Sequence, residues 1–410
     1  MRAGLDACVH CGFCLQSCPT YIALENENDS PRGRIVLMRS LLAGSLAADD
    51  GDVATHIDRC LGCRACETAC PSGVPYGRLL EATRATLALS RPISLLARTV
   101  LLVFARRTLL NVVMFGARVL RATRLAALGA RLPGRIGFSL AMLDATRVPL
   151  ERKSYIATGS GARGSAALLD GCVMDALYKD TNQATSRALA VNDYAIVSAP
   201  GQGCCGALHA HAGDLESARA LARTNVAAFE NSGARYVAVN AAGCGAMMKE
   251  YGHLLAEDPA WAGRAAALAE RIRDVSELLA DAGPVAGAPL SASVAYDAPC
   301  HLLHAQRISA PPLKVLAAIP GLDVRPLVDS DQCCGAAGIY NLVEPDTSRA
   351  VLAPKLRHIA NSGAGYVVTG NPGCLMQIGA GLRRTGATAR AVHPVDLLDA
   401  SYSVQRATAP

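Results

Sequence analysis

The chain has 410 residues, of which 51% are apolar and 18% are charged, and its net charge is +6. This length predicts two or three domains, and this composition excludes an intrinsically disordered protein. Only five of the 40 basic residues are Lys, aromatic residues make up 4%, and Trp261 is the single Trp. We therefore expect no nucleic-acid partner, because a surface that stacks bases needs aromatic side chains.

Cysteine is the unusual component, with 16 residues. The first six residues do not resemble a signal peptide, so we expect a cytoplasmic protein in a reducing compartment. Cys side chains usually bind metal or carry out redox chemistry there, and a secreted disulfide protein is the weaker alternative. The distribution of Cys predicts four parts: a ferredoxin-like module over 1–90, a helical linker over 91–150, and two related domains over 151–284 and 290–410.

One cysteine pattern occurs twice in the first region. The run Cys-x-x-Cys-x-x-Cys-x-x-x-Cys-Pro starts at Cys8 and again at Cys60. This is the spacing of two-cluster bacterial ferredoxins, in which three close Cys bind one 4Fe-4S cluster and the fourth binds the other. Structural zinc sites use pairs of Cys-x-x-Cys, which fit these triplets poorly. The predicted ligands are Cys8, Cys11, Cys14 and Cys70 for the first cluster, and Cys60, Cys63, Cys66 and Cys18 for the second.

The segment between the two runs contains Pro31-Arg32-Gly33-Arg34, which predicts the start of a helix that continues over Ile35–Leu42. Arginines at this point can bias a cluster potential or contact a partner. A solvated helix start is the simpler interpretation.

The other eight cysteines form two sets with a nearly constant offset of 128 to 130 residues. The motif Asn-Ser-Gly-Ala also recurs, at 231–234 and 361–364. We interpret this as a duplication, with a joint near Ala282–Pro289. The first set is Cys172, Cys204, Cys205 and Cys244, and the second is Cys300, Cys333, Cys334 and Cys374.

Each half alternates predicted strands with helices, which favours a parallel sheet. Every cysteine of the two sets follows a predicted strand, so each set should converge outside the carboxyl edge of its sheet. The predicted fold class is therefore a multidomain α+β or α/β protein, with a helical two-cluster module ahead of a duplicated Cys-Cys-Gly domain. The predicted strands are Ala167–Asp170, Tyr194–Val197, Tyr236–Val239, Val294–Tyr296, Asp323–Val328 and Tyr366–Thr369.

These motifs together resemble the glycolate oxidase (glycolate dehydrogenase) iron–sulfur subunit. The resemblance rests on Cys8–Cys14, Ser30–Ile35, Cys60–Glu67, Ala242–Ala246 and the two Cys-Cys-Gly halves. The halves are also similar to those of heterodisulfide reductase, lactate-utilisation and anaerobic glycerol-3-phosphate dehydrogenase subunits.

The resemblance implies a complex in which a separate FAD subunit oxidises glycolate to glyoxylate. This chain would then carry electrons toward a quinone or another acceptor, on the cytoplasmic side of the inner membrane. The FAD is expected on the partner, because the Gly-x-Gly-x-x-Gly match at Gly159–Gly164 precedes its strand and predicts a linker. No Ser–His–Asp arrangement or acid pair suggests catalytic residues in this chain.

The chain departs from the heterodisulfide reductase pattern, which ends each half in Cys-x-x-Cys and uses five Cys for its cluster. Met247 and Gln377 occupy the last position here. Each half could still hold a further cluster or metal through four thiolates, or its cysteines could be structural. Three functions stay open: an electron carrier in a glycolate, lactate or glycerol-3-phosphate dehydrogenase complex, a thiol–disulfide reductase, and a scaffold with structural clusters.

The region 91–150 contains ten Arg and one acid, Asp144. Its longest charge-free run, Thr108–Ala117, is too short to cross a membrane. On a helix, five of its Arg share about a third of the circumference. Such a helix can lie on anionic lipid, on a partner or on the protein's own sheet. The Arg are Arg106, Arg107, Arg118, Arg121 and Arg124, and the apolar residues are Leu101, Leu102, Leu109, Val112, Val113 and Phe115.

Four histidines fall near the predicted cysteine sites: His209, His211, His301 and His304. Each could bind metal or support a ligand. Ordinary surface or core packing is the commoner role of histidine.

Overall fold

A computed structural model describes residues 1–91, 93–147, 149–150 and 155–407. It contains a helical N-terminal module, a segment of four helices, and two four-stranded parallel sheets. The sheets have equivalent strand orders, β2-β1-β3-β4 and β6-β5-β7-β8. The architecture is thus the mixed α/β arrangement that the sequence predicts.

The module is held by helix caps and a small apolar core. The Ser30 side chain accepts a hydrogen bond from the Gly33 N–H (3.0 Å), so the third helix begins at Pro31. Ile35, Met38 and Ile57 are buried in the core. The helices are α1 (Arg2–Asp6), α2 (Pro19–Leu24), α3 (Pro31–Leu42), α4 (Gly51–Asp58), α5 (Ala65–Ala69) and α6 (Tyr76–Ser90), with a 3-10 turn at Glu27–Asp29.

The segment that follows is a set of short helices. The chain leaves helical geometry at Arg106 and adopts a left-handed conformation at Arg124 (φ 60°). Among the described residues, no single helix is long and apolar enough to span a membrane; one pair, bent by 115°, meets that test by length and composition alone. The helices are α7 (Leu95–Ala105), α8 (Arg107–Ala122), α9 (Leu125–Gly129) and α10 (Gly134–Asp144).

The first half builds a parallel sheet from β1 outward, with pairing such as Ala167 to Val237. Its elements are β1 (Ser165–Leu168), α11 (Val173–Leu177), α12 (Lys179–Val191), β2 (Ala195–Val197), α13 (Ala207–His211), α14 (Leu215–Asn231), β3 (Tyr236–Val239), α15 (Ala242–Lys249), α16 (Tyr251–Leu254), α17 (Ala262–Ala269), β4 (Ile272–Asp274) and α18 (Val275–Ala282).

The second half repeats this plan around β5. Its elements are β5 (Ala292–Tyr296), a π-helical turn (His301–Ala305), α19 (Ala310–Ala317), β6 (Leu322–Arg325), α20 (Tyr340–Val343), α21 (Pro345–Ser362), β7 (Tyr366–Val368), α22 (Pro372–Thr385), β8 (Arg390–Val392) and α23 (Pro394–Ala407).

The fourth strand of each sheet is an addition to the three that the sequence predicts. β4 and β8 are three-residue edge strands containing Arg273 and Arg390. An edge strand that short shows no period-two alternation, so sequence pattern alone does not identify it. The prediction also extended three strands too far. They end at Leu168, Arg325 and Val368, and not at Asp170, Val328 and Thr369.

The two halves interlock through their last helices. α23 of the second half packs on α12 of the first, and α18 packs on α19. One apolar core therefore draws residues from both sheets, including Ala238, Val294 and Val368. This shared core fixes the relative position of the two carboxyl edges that carry the cysteines.

Candidate iron–sulfur sites

The first cysteine site lies at the surface of the module. One cavity is lined by Cys8, Cys11, Cys14 and Cys70, with Cys66 also in its wall. Cys11 is exposed and the other three predicted ligands are half-buried. Gly12 has φ 87°, a conformation that favours glycine, and a Cβ there would lie 3.0 Å from the Arg32 guanidinium. The loop therefore closes tightly over the cavity.

The second site lies inside the protein. Its cavity is lined by the four buried cysteines Cys18, Cys60, Cys63 and Cys66. The Gly62 N–H donates to the Cys60 Sγ (3.4 Å), and the Tyr76 hydroxyl lies 3.8 Å from the same sulfur. In both cavities the fourth cysteine comes from the other sequence run. The crossed grouping of sulfurs is thus the one that the ferredoxin spacing predicts, and ligation by them stays a prediction.

The Arg34 side chain differs from the solvated helix start that we expected. It is fully buried and donates to Thr20 Oγ1 (3.0 Å), to Asp29 Oδ1 (3.2 Å) and to the His56 carbonyl (2.6 Å). Thr20 Oγ1 in turn lies 3.3 Å from the Cys18 Sγ. Arg34 also lines the second cavity. A fixed positive charge therefore stands behind the second site, and sequence pattern missed it because a Pro-Arg-Gly-Arg turn is normally solvated.

Burial makes several of these thiols weaker acids than an ordinary cysteine. It raises the pKa of Cys14 to about 11, and it raises the pKa of Cys63 and Cys66 well above the ordinary value. Iron binds the thiolate form, so cluster binding must displace protons from these sulfurs. When bound, a 4Fe-4S cluster supplies reversible one-electron chemistry.

The first half also brings its four sulfurs together. Cys204 contacts Cys172 and Cys205, and Cys205 contacts Cys244, so the sulfurs form a continuous chain. Hydrogen bonds from Cys172 and Cys205, and from the Gly206 backbone, hold the pKa of Cys204 well below its ordinary value. The predicted convergence at the carboxyl edge of the sheet is present in the structure.

The second half repeats this chain of sulfurs. Cys333 contacts Cys300 and Cys334, and the Cys334 and Cys374 sulfurs are 3.0 Å apart. The Gly335 N–H donates to the Cys333 Sγ (3.4 Å). Gly335 has φ 82°, and a Cβ there would lie 2.6 Å from the Ser348 carbonyl oxygen. The positive φ and the lack of room for a Cβ atom together explain why glycine follows the paired cysteines.

The four candidate histidines lie at interfaces between parts of the chain. His209 Nε2 lies 3.0 Å from the Leu101 carbonyl oxygen, and His301 Nε2 lies 3.0 Å from that of Gly62. His211 Nδ1 pairs with Glu81, and His304 Nδ1 with Thr68 Oγ1, each at 3.0 Å. The contacts recorded for these rings thus join the halves to the module and to α7.

Both halves contact the module, but through different groups. Cys333 and Tyr340 of the second half pack in one apolar cluster with Leu61 and Cys63 of the module. The first half contacts the module through Glu250, which pairs with Arg64 and Arg78. It also meets the helical segment, where Arg107 donates to the Gln202 carbonyl (3.1 Å). The second half is therefore the one whose cysteines adjoin the second module site.

The chain has two cavities lined by cysteines with ferredoxin spacing. Two parallel sheets follow, and each carries four more cysteines. These features define an iron–sulfur electron-transfer protein with a duplicated cysteine-rich domain. Family models agree with this class. One described as a 4Fe-4S dicluster domain matches residues 4–74, and one described as a Cysteine-rich domain matches residues 166–249 and 294–379.

Similar proteins narrow the class. A probable glycolate oxidase iron-sulfur subunit of Bacillus subtilis is 37% identical, with 95% of this chain and 92% of the relative covered. The glycolate oxidase iron-sulfur subunit of Escherichia coli is 35% identical, with 90% and 88% covered. Lactate utilization protein A of Oceanobacillus iheyensis is 30% identical but covers 56% of this chain and 93% of its own. The chain belongs to the glycolate oxidase iron–sulfur subunit family, as the motifs predicted.

Proposed function

We propose that this chain carries electrons in a glycolate-oxidising complex. The electrons come from an FAD subunit that oxidises glycolate to glyoxylate, and they pass to a quinone. The observation that supports this most directly is the pair of adjacent cavities, each walled by four ferredoxin-spaced cysteines. In the proposal, Cys8, Cys11, Cys14 and Cys70 hold one 4Fe-4S cluster, and Cys18, Cys60, Cys63 and Cys66 hold the other.

Substitution of one cysteine in each cavity tests the relay. Cys11→Ser and Cys63→Ser should each abolish glycolate-dependent reduction of an acceptor downstream, while the FAD subunit still copurifies. Iron analysis and electron paramagnetic resonance of the same samples report whether one cluster is lost. Full complex activity in either variant would contradict the relay.

We further propose that each half holds an additional iron–sulfur cluster on its four thiolates. The contiguous sulfurs at both carboxyl edges support this. Iron and acid-labile sulfide per chain decide: about eight irons means that only the module is loaded, and more means that the halves are occupied.

The FAD subunit is proposed to bind beside the first site. Val9 and Phe13, on the loop that closes this cavity, are each 68% exposed. Exposed apolar side chains at a redox site suit a protein partner that must approach closely. Phe13→Asp should weaken copurification of the FAD subunit, whereas Ile156→Asp, a change at an 87% exposed position elsewhere, should not.

We also propose that α8 rests on the cytoplasmic face of an anionic membrane. Leu110 is buried, and Met114 and Ala117 pack on the first half. The opposite face exposes Val112 (71%) and Phe115 (63%) to solvent. An amphipathic helix whose apolar face points away from its own protein suits a lipid interface, and the exposed Arg118 and Arg124 suit anionic headgroups.

Vesicle sedimentation tests the membrane contact. The protein should bind vesicles that contain phosphatidylglycerol, and this binding should weaken at high salt. It should bind poorly to vesicles of phosphatidylcholine alone. Val112→Ser with Phe115→Ser should reduce binding at least fivefold. Leu313→Ser, at a 47% exposed position in α19, is the matched control. Equal binding by the double variant and the control would exclude this face.

A further inference from the structure

A large cavity lies where the module, α7 and the second half meet. Its volume is about 470 Å³, within the range of sites that hold small organic ligands. The wall includes Leu87 and Ala88 of α6, Leu96 of α7, and Ile339 and Tyr340 next to the second cysteine set. Apart from Cys60, none of the predicted cysteine ligands lines this cavity.

The cavity shares a wall with the second cysteine site. Cys60 and Leu61 line both this cavity and the one that Cys18, Cys63 and Cys66 surround. A ligand held here would therefore be separated from that site by the thickness of one backbone segment. Such proximity is what electron exchange between the two requires.

The lining combines apolar surface with several charged side chains, among them Asp58, Arg84, Arg91 and Arg135. Leu87, Leu96 and Ile339 offer contacts for a ring and an alkyl tail, while Glu344 and His211 supply polar atoms. The His211 Nε2 atom is buried and has no hydrogen-bond partner among the described residues. A buried polar atom of that kind is normally satisfied by a ligand or a water.

Exposed apolar side chains stand next to the lining residues in sequence. Leu89 is 90% exposed beside Ala88, Leu95 is 80% exposed beside Leu96, and Ile136 is 69% exposed beside Arg135, which also lines the cavity. Apolar side chains are therefore exposed on α6, α7 and α10, three of the elements that line the cavity.

We propose that this cavity is a quinone-binding site. The inference deepens the proposed function, because it supplies the place where the electron relay meets its acceptor. In the reaction, the quinone takes two electrons and two protons and leaves as the quinol. The iron–sulfur relay is oxidised by the same two electrons, one at a time, and water supplies the protons.

Binding of decylubiquinone to the cluster-loaded full-length chain tests the site by calorimetry in mild detergent. Ala88→Trp places an indole in the cavity and should weaken binding at least tenfold. Thr86→Trp, on the exposed side of the same helix, should bind as the wild type does. Unchanged binding by Ala88→Trp with full iron content would overturn the proposal. If that variant loses iron, Ala88→Leu replaces it.

Cross-linking gives a second, independent test on the unaltered protein. An azidoquinone should label peptides from α6, α7 or residues 337–344, and labelling confined to other regions would overturn the site. Measuring reduction of two different acceptors distinguishes failure of the quinone site from failure of the electron relay. Ala88→Trp should lose decylubiquinone reduction at least tenfold but keep ferricyanide reduction, whereas failure of the relay removes both in the wild type.

Discussion

The two halves of the duplicated domain keep the same sheet and the same four cysteines but differ in the groups beside the sulfurs. The Leu169 N–H donates to the Ala238 carbonyl and the Asp297 N–H to the Val368 carbonyl, both at 2.9 Å, so the two donors occupy equivalent positions. The first half is thus apolar where the second carries a carboxylate.

The partner position differs in the same way. Asn225 in the first half corresponds to Lys355 in the second, at the offset of 130 residues that relates Cys244 to Cys374. Asn225 bonds to the Gly203 N–H and the Cys204 carbonyl, each at 2.9 Å. Lys355 pairs with Asp297 and donates to two backbone carbonyls.

Duplication thus preserved the sulfur framework, while each copy acquired its own surroundings. The second half has a buried ion pair near its sulfurs and adjoins the module at Cys63. The first half has a neutral amide near its sulfurs and contacts the module through Glu250 and His211. Any groups held by the two halves should therefore differ in potential and in their contact with the relay.

The largest expected effect is on the buried ion pair. Lys355→Asn leaves Asp297 charged and unpaired in the interior and should reduce the free energy of unfolding by about 3–5 kcal/mol. The double variant Lys355→Asn with Asp297→Leu installs the pair found in the first half. It should recover most of that loss, as measured by urea unfolding. A double variant no more stable than the single one would show that the two halves are not interchangeable here.

A second cation extends the comparison to the module. Arg34 reaches Cys18 through Thr20, over about 6 Å, and at an effective dielectric of about 20 its charge is worth about 3 kcal/mol. A positive charge favours the reduced, more negative cluster. Arg34→Gln should therefore lower the midpoint potential of the second cluster by on the order of 100 mV.

Two further variants separate charge from structure at this position. Arg34→Lys retains the charge and should stay close to the wild-type potential even if it lowers stability. Arg32→Gln removes an Arg paired with Glu27 at the surface and should leave the midpoint potential of the second cluster unchanged. A redox titration followed by electron paramagnetic resonance measures all three. An unchanged potential in Arg34→Gln would limit this residue to a structural role.

The sequence predicted the features that short-range pattern encodes. The ferredoxin spacing placed Cys18 and Cys70 in exchanged cavities, and strand–helix alternation brought the remaining cysteines to the sheet edges. It could not predict that Arg34 is buried, because burial there depends on Asp29 and Thr20 folding over it. The Asp297–Lys355 pair joins residues 58 positions apart, and nothing in the local pattern around either one indicates the other.

The missing fifth cysteines give a third comparison. Gln377 is fully buried and bonds to Asn341 (3.1 Å) and Ser348 (2.8 Å), whereas Met247 packs in an apolar core. Gln377→Leu should destabilise the protein by about 1–3 kcal/mol, because it leaves buried polar partners unsatisfied. Met247→Leu conserves volume and polarity and should cost less than about 1.5 kcal/mol. Thermal unfolding compares them, and equal losses would contradict this distinction.

The smallest effect is a change in the potential of the second module cluster when a cysteine of either half is replaced. Cys333→Ser and Cys204→Ser remove equivalent sulfurs and should lose equal iron if both halves are loaded. Only Cys333 packs against Cys63, so only Cys333→Ser should alter the line shape of the second module cluster and shift its potential by a few tens of millivolts, about 1 kcal/mol or less. Cys204→Ser should leave both unchanged. A shift in both variants would mean that the two halves reach the module alike, and the asymmetry of their surroundings would then have no electrical consequence.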